Sequence, residues 1–291
     1  MIPARRMANP IHRAFSAPTA GGVVLARLLA KTPPLVMGVL NVTPDSFSDG
    51  GRFFDANAAI AHARRLAAEG ADIIDIGAES TRPYGDAERV PPDEERARLE
   101  PVLPEVLALG IPVSIDTMKA SVAAWALDLG AAIANDVWGL QRDPDMARVV
   151  AERGAPVIVM HNRESTDPAI DIVVEVTAFF ERSLDIAAGA GIPRERIVLD
   201  PGIGFGKTPE QSVACIARLD VWRRFGLPIL VGASRKRFIH SVSPSDPMQR
   251  LGGSLAAHLL AVETGAAIVR VHDVAPTVQA LAVAAAIRRA R

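Results

Sequence analysis

A single cysteine in 291 residues, Cys215, rules out an internal disulfide and any cysteine-rich metal site, and it fits a reducing compartment. Standing in an apolar run, it reads as a small core residue. Charge of either sign is not in excess either. Lys and Arg number 32 against 33 Asp and Glu, a formal net charge of -1, so no global field recruits nucleic acid or an anionic membrane surface. The expected ligand is small. Long apolar runs are missing too: stretches such as residues 255–262 fall well short of the roughly 20 residues that span a bilayer. Arg5 and Arg6 stand near the amino terminus, but Asn9, Pro10, His12 and Arg13 interrupt the segment after them, so it is no signal-peptide core. A cytoplasmic protein without a membrane partner is expected.

What is present is enough apolar sequence for a large core, 49% hydrophobic residues with 22% charged. Residues 1–34 contain Pro3, Pro10, Pro18, Pro33 and Pro34 and read as an extension that packs loosely or is partly disordered. From residue 35 onward no Gly/Ser/Pro linker divides the chain, so residues 35–291 read as one domain. Short β-branched runs alternate there with Ala/Leu/Arg-rich stretches, the pattern of βα units around a parallel sheet. The candidate strands are residues 35–40, 73–76, 113–115, 133–134, 157–159, 197–199, 229–231 and 268–271. Eight such units predict an α/β fold, a closed (β/α)8 TIM barrel. Glycines at 70, 110, 130, 154, 191, 226 and 265 stand where helices should end before the next strand.

The carboxyl end of each apolar run is polar: Asn41; Glu79 with Ser80, Thr81 and Arg82; Asp116; Asn135 with Asp136; His161 after Met160; Asp200; Ser234 with Arg235 and Lys236; Arg270 with His272. Each alone is explained as readily by helix capping. In a barrel, however, all eight converge on one mouth, and one active site explains them together.

Asp116, Asn135 and Asp200 offer the acceptors and donors that a guanidine-like edge of a heterocycle needs. Lys236, Arg270 and His272 supply positive charge on the adjoining side, readable as an anion site or as internal salt bridges. The loop 41–51 is longer than a connection requires. It reads as a functional loop, with Asn41 able to offer an amide oxygen to Mg2+ and Asp45 able to approach it or a developing cation, or as a plain turn-rich loop. Residues 200–208, Asp-Pro-Gly-Ile-Gly-Phe-Gly-Lys-Thr, lack the spacing of a nucleotide-binding P-loop. Their glycines would instead let Phe205 close over a flat ring. His161 and His272 lack partners at zinc-ligand spacing.

Two long stretches, residues 37–51 (Met-Gly-Val-Leu-Asn-Val-Thr-Pro-Asp-Ser-Phe-Ser-Asp-Gly-Gly) and 72–83 (Asp-Ile-Ile-Asp-Ile-Gly-Ala-Glu-Ser-Thr-Arg-Pro), resemble the signatures of the dihydropteroate synthase family. Shorter matches at 114–117, 135–137, 159–161, 200–207, 232–236 and 270–274 carry the resemblance to the carboxyl end. The resemblance implies a transferase that joins 4-aminobenzoate to (7,8-dihydropterin-6-yl)methyl diphosphate, giving 7,8-dihydropteroate and diphosphate in folate synthesis, with Mg2+ as cofactor. It implies that Asp116, Asn135, Met160, Asp200, Phe205, Lys236 and Arg270 form the pterin pocket and that Asn41 meets the metal. Arg270 and His272 would hold the departing diphosphate, and Thr81, Arg82, Ser234 and Lys236 would border the aminobenzoate site. Asp45, Asp116, Lys236, Arg270 and His272 are the expected catalytic set. A homodimer through the Ala/Leu-rich last helices is also implied. The sequence departs from the family at Tyr84, at Trp138 and at Ser212. A pterin-binding methyltransferase on a similar barrel and a non-catalytic homologue are the alternatives, and the residues expected around a diphosphate speak against both.

Overall fold

A computed structural model describes residues 21–31, 34–43, 56–79 and 90–290. In chain order the elements are α1 (Gly21–Ala30), β1 (Leu35–Asn41), α2 (Ala56–Ala68), β2 (Ile73–Gly77), α3 (Pro92–Leu99), α4 (Leu103–Leu107), β3 (Val113–Asp116), α5 (Ala120–Leu129) and β4 (Ile133–Asp136). Next come α6 (Met146–Arg153), β5 (Val157–Met160), α7 (Ile172–Gly189), β6 (Ile197–Asp200), α8 (Pro209–Ala217), β7 (Leu230–Val231), α9 (Arg237–Val242), α10 (Leu251–Thr264), β8 (Ile268–Val271) and α11 (Val274–Arg289). All strand pairs are parallel, in the order β6-β5-β4-β3-β2-β1-β8-β7, and a bridge between Leu199 and Ile229 closes the ring. The expected (β/α)8 barrel is what forms.

Parallel strands covered on both faces must be apolar on both, which is why they are short runs of Ile, Val and Leu rather than alternating ones. Outward residues such as Ile74, Ile76, Val113 and Ile115 pack under the helices with Leu66, Leu99 and Val106. Inward residues follow the opposite parity. At the amino ends of the strands Leu35, Met37, Ile73, Ile133, Ile158, Val198, Leu230 and Ile268 fill the barrel. Two residues further along, the same inward rows carry Asp75, Asn135, Met160, Asp200 and Arg270. Period two along each strand therefore divides the interior into an apolar floor and a polar mouth.

The extension does not pack loosely throughout. Leu25 and Leu28 of α1, three residues apart on one helical face, are buried in the same cluster as the inward floor residues. The helix thus closes the amino-terminal end of the barrel. All seven glycines expected at helix ends have positive φ, the conformation that stops a helix with no Cβ penalty. Cys215 is fully buried, as a core residue.

Candidate active site

At the carboxyl end of the barrel, a cavity is walled by Asp116, Asn135, Met160, Asp200, Phe205, Lys236 and Arg270, with Val137, Ile203 and two glycines. Seven expected pocket residues from β3, β4, β5, β6, the loop after β6, the loop after β7 and β8 thus meet in one place. Asp45, Thr81, Arg82 and Tyr84 lie outside the described residues. Asn41 ends β1 in register with Gly77 and is half-buried. Ser234 and His272 stand beside Lys236 and Arg270 in the chain and contact each other, with Ser234 Oγ 3.0 Å from His272 Nδ1.

Arg270 organises the charged wall. Its Nε donates to Asp75 Oδ2 at 2.6 Å and its Nη2 to Asp116 Oδ2 at 2.7 Å. Burial opposes the guanidinium charge, but the two carboxylates outweigh it and raise its pKa above the usual arginine value. Asp116 remains unusual. Burial pushes its pKa up to about 7 against the pull of Arg270, and the adjacent Asp75 pushes in the same direction as burial. Its Oδ1 is buried without a hydrogen-bond partner among the described residues, and so is Asn135 Oδ1. Unpaired buried acceptors are costly, about 1–3 kcal/mol each, so these two point to a ligand that donates.

Asp200 is capped by its own loop, Gly202 N–H donating to Oδ1 at 2.7 Å. Burial raises its pKa to about 6 against that bond. The loop is fixed from below by Lys207, which is buried and donates to the Gly202 carbonyl at 2.8 Å and the Phe205 carbonyl at 3.0 Å, with His161 Nδ1 at 2.6 Å. Gly202 has φ of 63° and an added Cβ would sit 2.0 Å from the His161 carbonyl oxygen, so only glycine fits there. Above the loop, Lys236 Nζ lies 4.1 Å from the centre of the Phe205 ring. Burial, with Arg270 nearby, lowers its pKa to about 7. Phe205 packs with Met160 and Val137, and Trp138 lies against that cluster with Arg142 stacked 4.4 Å from its centre. Trp138 therefore backs the apolar side of the cavity without lining it. Ser212, buried on α8, donates to the Thr208 carbonyl at 2.9 Å, away from the cavity.

Lys236 is aimed by strain in the residue before it. Arg235 has φ of 58°, which costs a side chain energy unless its surroundings impose it. Here Ser254 Oγ takes its N–H at 2.9 Å, Arg250 donates to its carbonyl at 3.0 Å, and Asp273 takes its guanidinium in two bonds of 3.0 and 2.5 Å.

Two expectations change. His272 does not supply positive charge: burial, then Arg270, lowers its pKa to about 3. Its backbone N–H donates to Ser234 Oγ at 3.2 Å and its Nδ1 lies 3.0 Å from the same oxygen, so the neutral His272 ring and the Ser234 hydroxyl are joined by a hydrogen bond. His161, read among the polar strand ends, faces away from the cavity, its ring 4.8 Å from Phe179 in an edge contact. Asp75 was missed altogether, although a charge inside an apolar strand run is the signal that marks it. Among the described residues no cluster of three His, Cys, Asp or Glu side chains could hold a metal.

The family model for pterin binding enzymes matches residues 37–272. Dihydropteroate synthase of Bacillus subtilis strain 168 is 46% identical over 245 residues, covering 84% of this chain and 85% of that protein. The solved structure of Xanthomonas albilineans dihydropteroate synthase with 4-aminobenzoic acid superposes with a TM-score of 0.84 at 45% identity, covering 88% of this chain and 94% of that one. The same enzyme in complex with 7,8-dihydropteroate gives 0.81 at 43%, with 88% and 94% covered. The chain belongs to the dihydropteroate synthases of the pterin-binding enzyme family.

Proposed function

We infer that the chain is the transferase that condenses (7,8-dihydropterin-6-yl)methyl diphosphate with 4-aminobenzoate to 7,8-dihydropteroate and diphosphate. The observation that carries this reading is the pair of unpartnered buried acceptors, Asp116 Oδ1 and Asn135 Oδ1, on a wall completed by Asp200. A pterin ring offers N–H and NH2 donors along one edge, which such a wall would bind while Phe205 and Met160 cover its flat face. Lys236 and Arg270 then lie on the side where the diphosphate would leave.

In the reaction the C–O bond to diphosphate breaks and the aniline nitrogen forms the new C–N bond, losing a proton. A methyl carbon conjugated with the pterin ring can carry the developing positive charge, and Asp116 and Asp200 stabilise it by their negative charge. Lys236, Arg270 and His272 would hold the departing anion. A neutral aniline needs no strong base, so no nucleophilic triad is required. By the resemblance, Asp45 would act in catalysis and Thr81 and Arg82 would border the aminobenzoate site.

Mg2+ fits this site only as an ion that arrives with the diphosphate. A small hard cation keeps several waters and substrate oxygens and accepts one or two protein ligands, and the Asn41 amide oxygen would be one such ligand. When bound it would neutralise charge on the leaving group.

A homodimer through α10 and α11 is supported by apolar side chains left in solvent on those helices, Leu260, Val283 and Ile287 at 57%, 54% and 55% exposure. A cytoplasmic setting is supported by the scarcity of cysteine, Cys215 being single and buried. Among the described residues no helix is long and apolar enough to cross a membrane. Incubating the protein with both substrates and resolving the products by chromatography tests the reading: dihydropteroate is expected. Methyl transfer from a methylated folate without dihydropteroate would instead support the methyltransferase alternative.

A further inference from the structure

Asp75 sits inside the barrel in the middle of β2 and is completely buried. An ionised carboxylate at such a position is expensive unless donors surround it. Here Arg270 Nε supplies one at 2.6 Å, and Asn135 Nδ2 lies 3.3 and 3.1 Å from its two oxygens. Since a carboxylate only accepts, the end of the Asn135 amide that faces Asp75 has to be the NH2. Its Oδ1 is thereby turned the other way, where it is buried and unpartnered among the described residues, on the cavity wall. Arg270 is fixed by the same carboxylate. With Nε on Asp75 its Nη2 reaches Asp116 Oδ2, and Asp116 Oδ1 is the oxygen left over.

We propose that Asp75 is a specificity-determining positioning residue: by orienting Asn135 and Arg270 it makes the pocket wall present acceptors, and so selects heterocycles whose facing edge donates, a 2-amino-4-oxopteridine over its 2,4-dioxo counterpart. This rests on the pterin reading of the cavity and adds what sets its selectivity. Asp75 does not itself line the cavity, so its effect passes through the two side chains it holds. A residue that served only to neutralise Arg270 would, when altered, weaken both ring types alike. One that orients Asn135 changes their ratio. Asparagine at 75 is nearly isosteric but can face either end of the Asn135 amide, so Asn135 becomes free to turn its NH2 into the cavity.

The test is calorimetric titration with 6-hydroxymethylpterin and with 6-hydroxymethyl-2,4-dioxopteridine, in the unaltered chain, in Asp75→Asn and in the exchanged pair Asp75→Asn with Asn135→Asp. The unaltered chain should favour the amino compound, and Asp75→Asn should cut that preference by about tenfold or more, the size expected for one buried donor–acceptor mismatch. The exchanged pair keeps one carboxylate and one amide in contact, leaves the charge count unchanged and fixes an acceptor at 135, so it should regain the preference. It carries the test by itself if Asp75→Asn shows no cooperative melting. An unchanged ratio in a folded Asp75→Asn, or a folded exchanged pair without the preference, overturns the proposal. Failure of the unaltered chain to bind either ring overturns the pterin reading instead.

Discussion

Asp116, Asp200 and Lys236 titrate close together, and the signs of their shifts set the pH range of binding. Burial raises the carboxyls to about 7 and about 6 and lowers the ammonium to about 7. Ring N–H donors bind the ionised carboxylates, so pterin affinity should be present above those values and be lost as pH falls through 7 and then 6. Lys236 acts at the opposite limb, its charge being lost as pH rises through about 7. The dissociation constant of the diphosphate substrate should therefore rise on both sides of neutrality, and on the alkaline side more steeply than that of 6-hydroxymethylpterin, which has no diphosphate. Equal alkaline limbs for both compounds, measured by titration calorimetry, would take Lys236 out of the anion site. Asp200→Asn should weaken pterin binding by about 2 kcal/mol. One Asp200 oxygen is already taken by Gly202 N–H, so the loss concerns the other oxygen, and an unchanged dissociation constant would remove Asp200 from the pocket. The five polar residues of the wall were legible because they stand at or just past the carboxyl-terminal part of a strand run, where barrel geometry gathers side chains. Asp75 was not, since it lies within a run, and the neutrality of His272 comes from burial that sequence does not display.

At the level of elements, the loop after β6 and the helix before β1 carry separate consequences. Gly202 passes so close to the His161 carbonyl that Gly202→Ala must displace the loop, moving Phe205 and the Asp200 cap together. The expected outcome is a pterin dissociation constant raised at least about tenfold in a protein that still folds, read by calorimetry beside a thermal melt. Unaltered binding would show that the loop does not shape the pocket. For α1 the expectation is reversed. Leu25→Ala should cost about 2–5 kcal/mol of stability, seen as a lowered denaturation midpoint, with pterin affinity unchanged because the helix closes the far end of the barrel. A loss of affinity at full stability would contradict that placement. The strands and the helix-ending glycines could be read from the chain, since period two, buried parallel runs and positive φ leave marks in composition. The packing of α1 could not: prolines on both sides, Pro18 and Pro33 among them, mask the short Val-Val-Leu-Ala-Arg-Leu-Leu run whose Leu25 and Leu28 share one face.

For the molecule as a whole, an apolar floor and a polar mouth let one barrel separate stability from chemistry, with α1 beneath and the strand ends above. The exposed Leu260, Val283 and Ile287 lie on α10 and α11, and sedimentation should show a dimer that Ile287→Asp weakens; a monomer at all concentrations would refute pairing. The central claim is that this mouth binds a pterin diphosphate and transfers its methylene group to an arylamine. Diphosphate released from (7,8-dihydropterin-6-yl)methyl diphosphate in the presence of Mg2+, with and without 4-aminobenzoate, measures it directly. Release should be slow with the pterin alone, rise steeply with 4-aminobenzoate and match dihydropteroate one for one. Release independent of the amine, or none in its presence, would contradict the account.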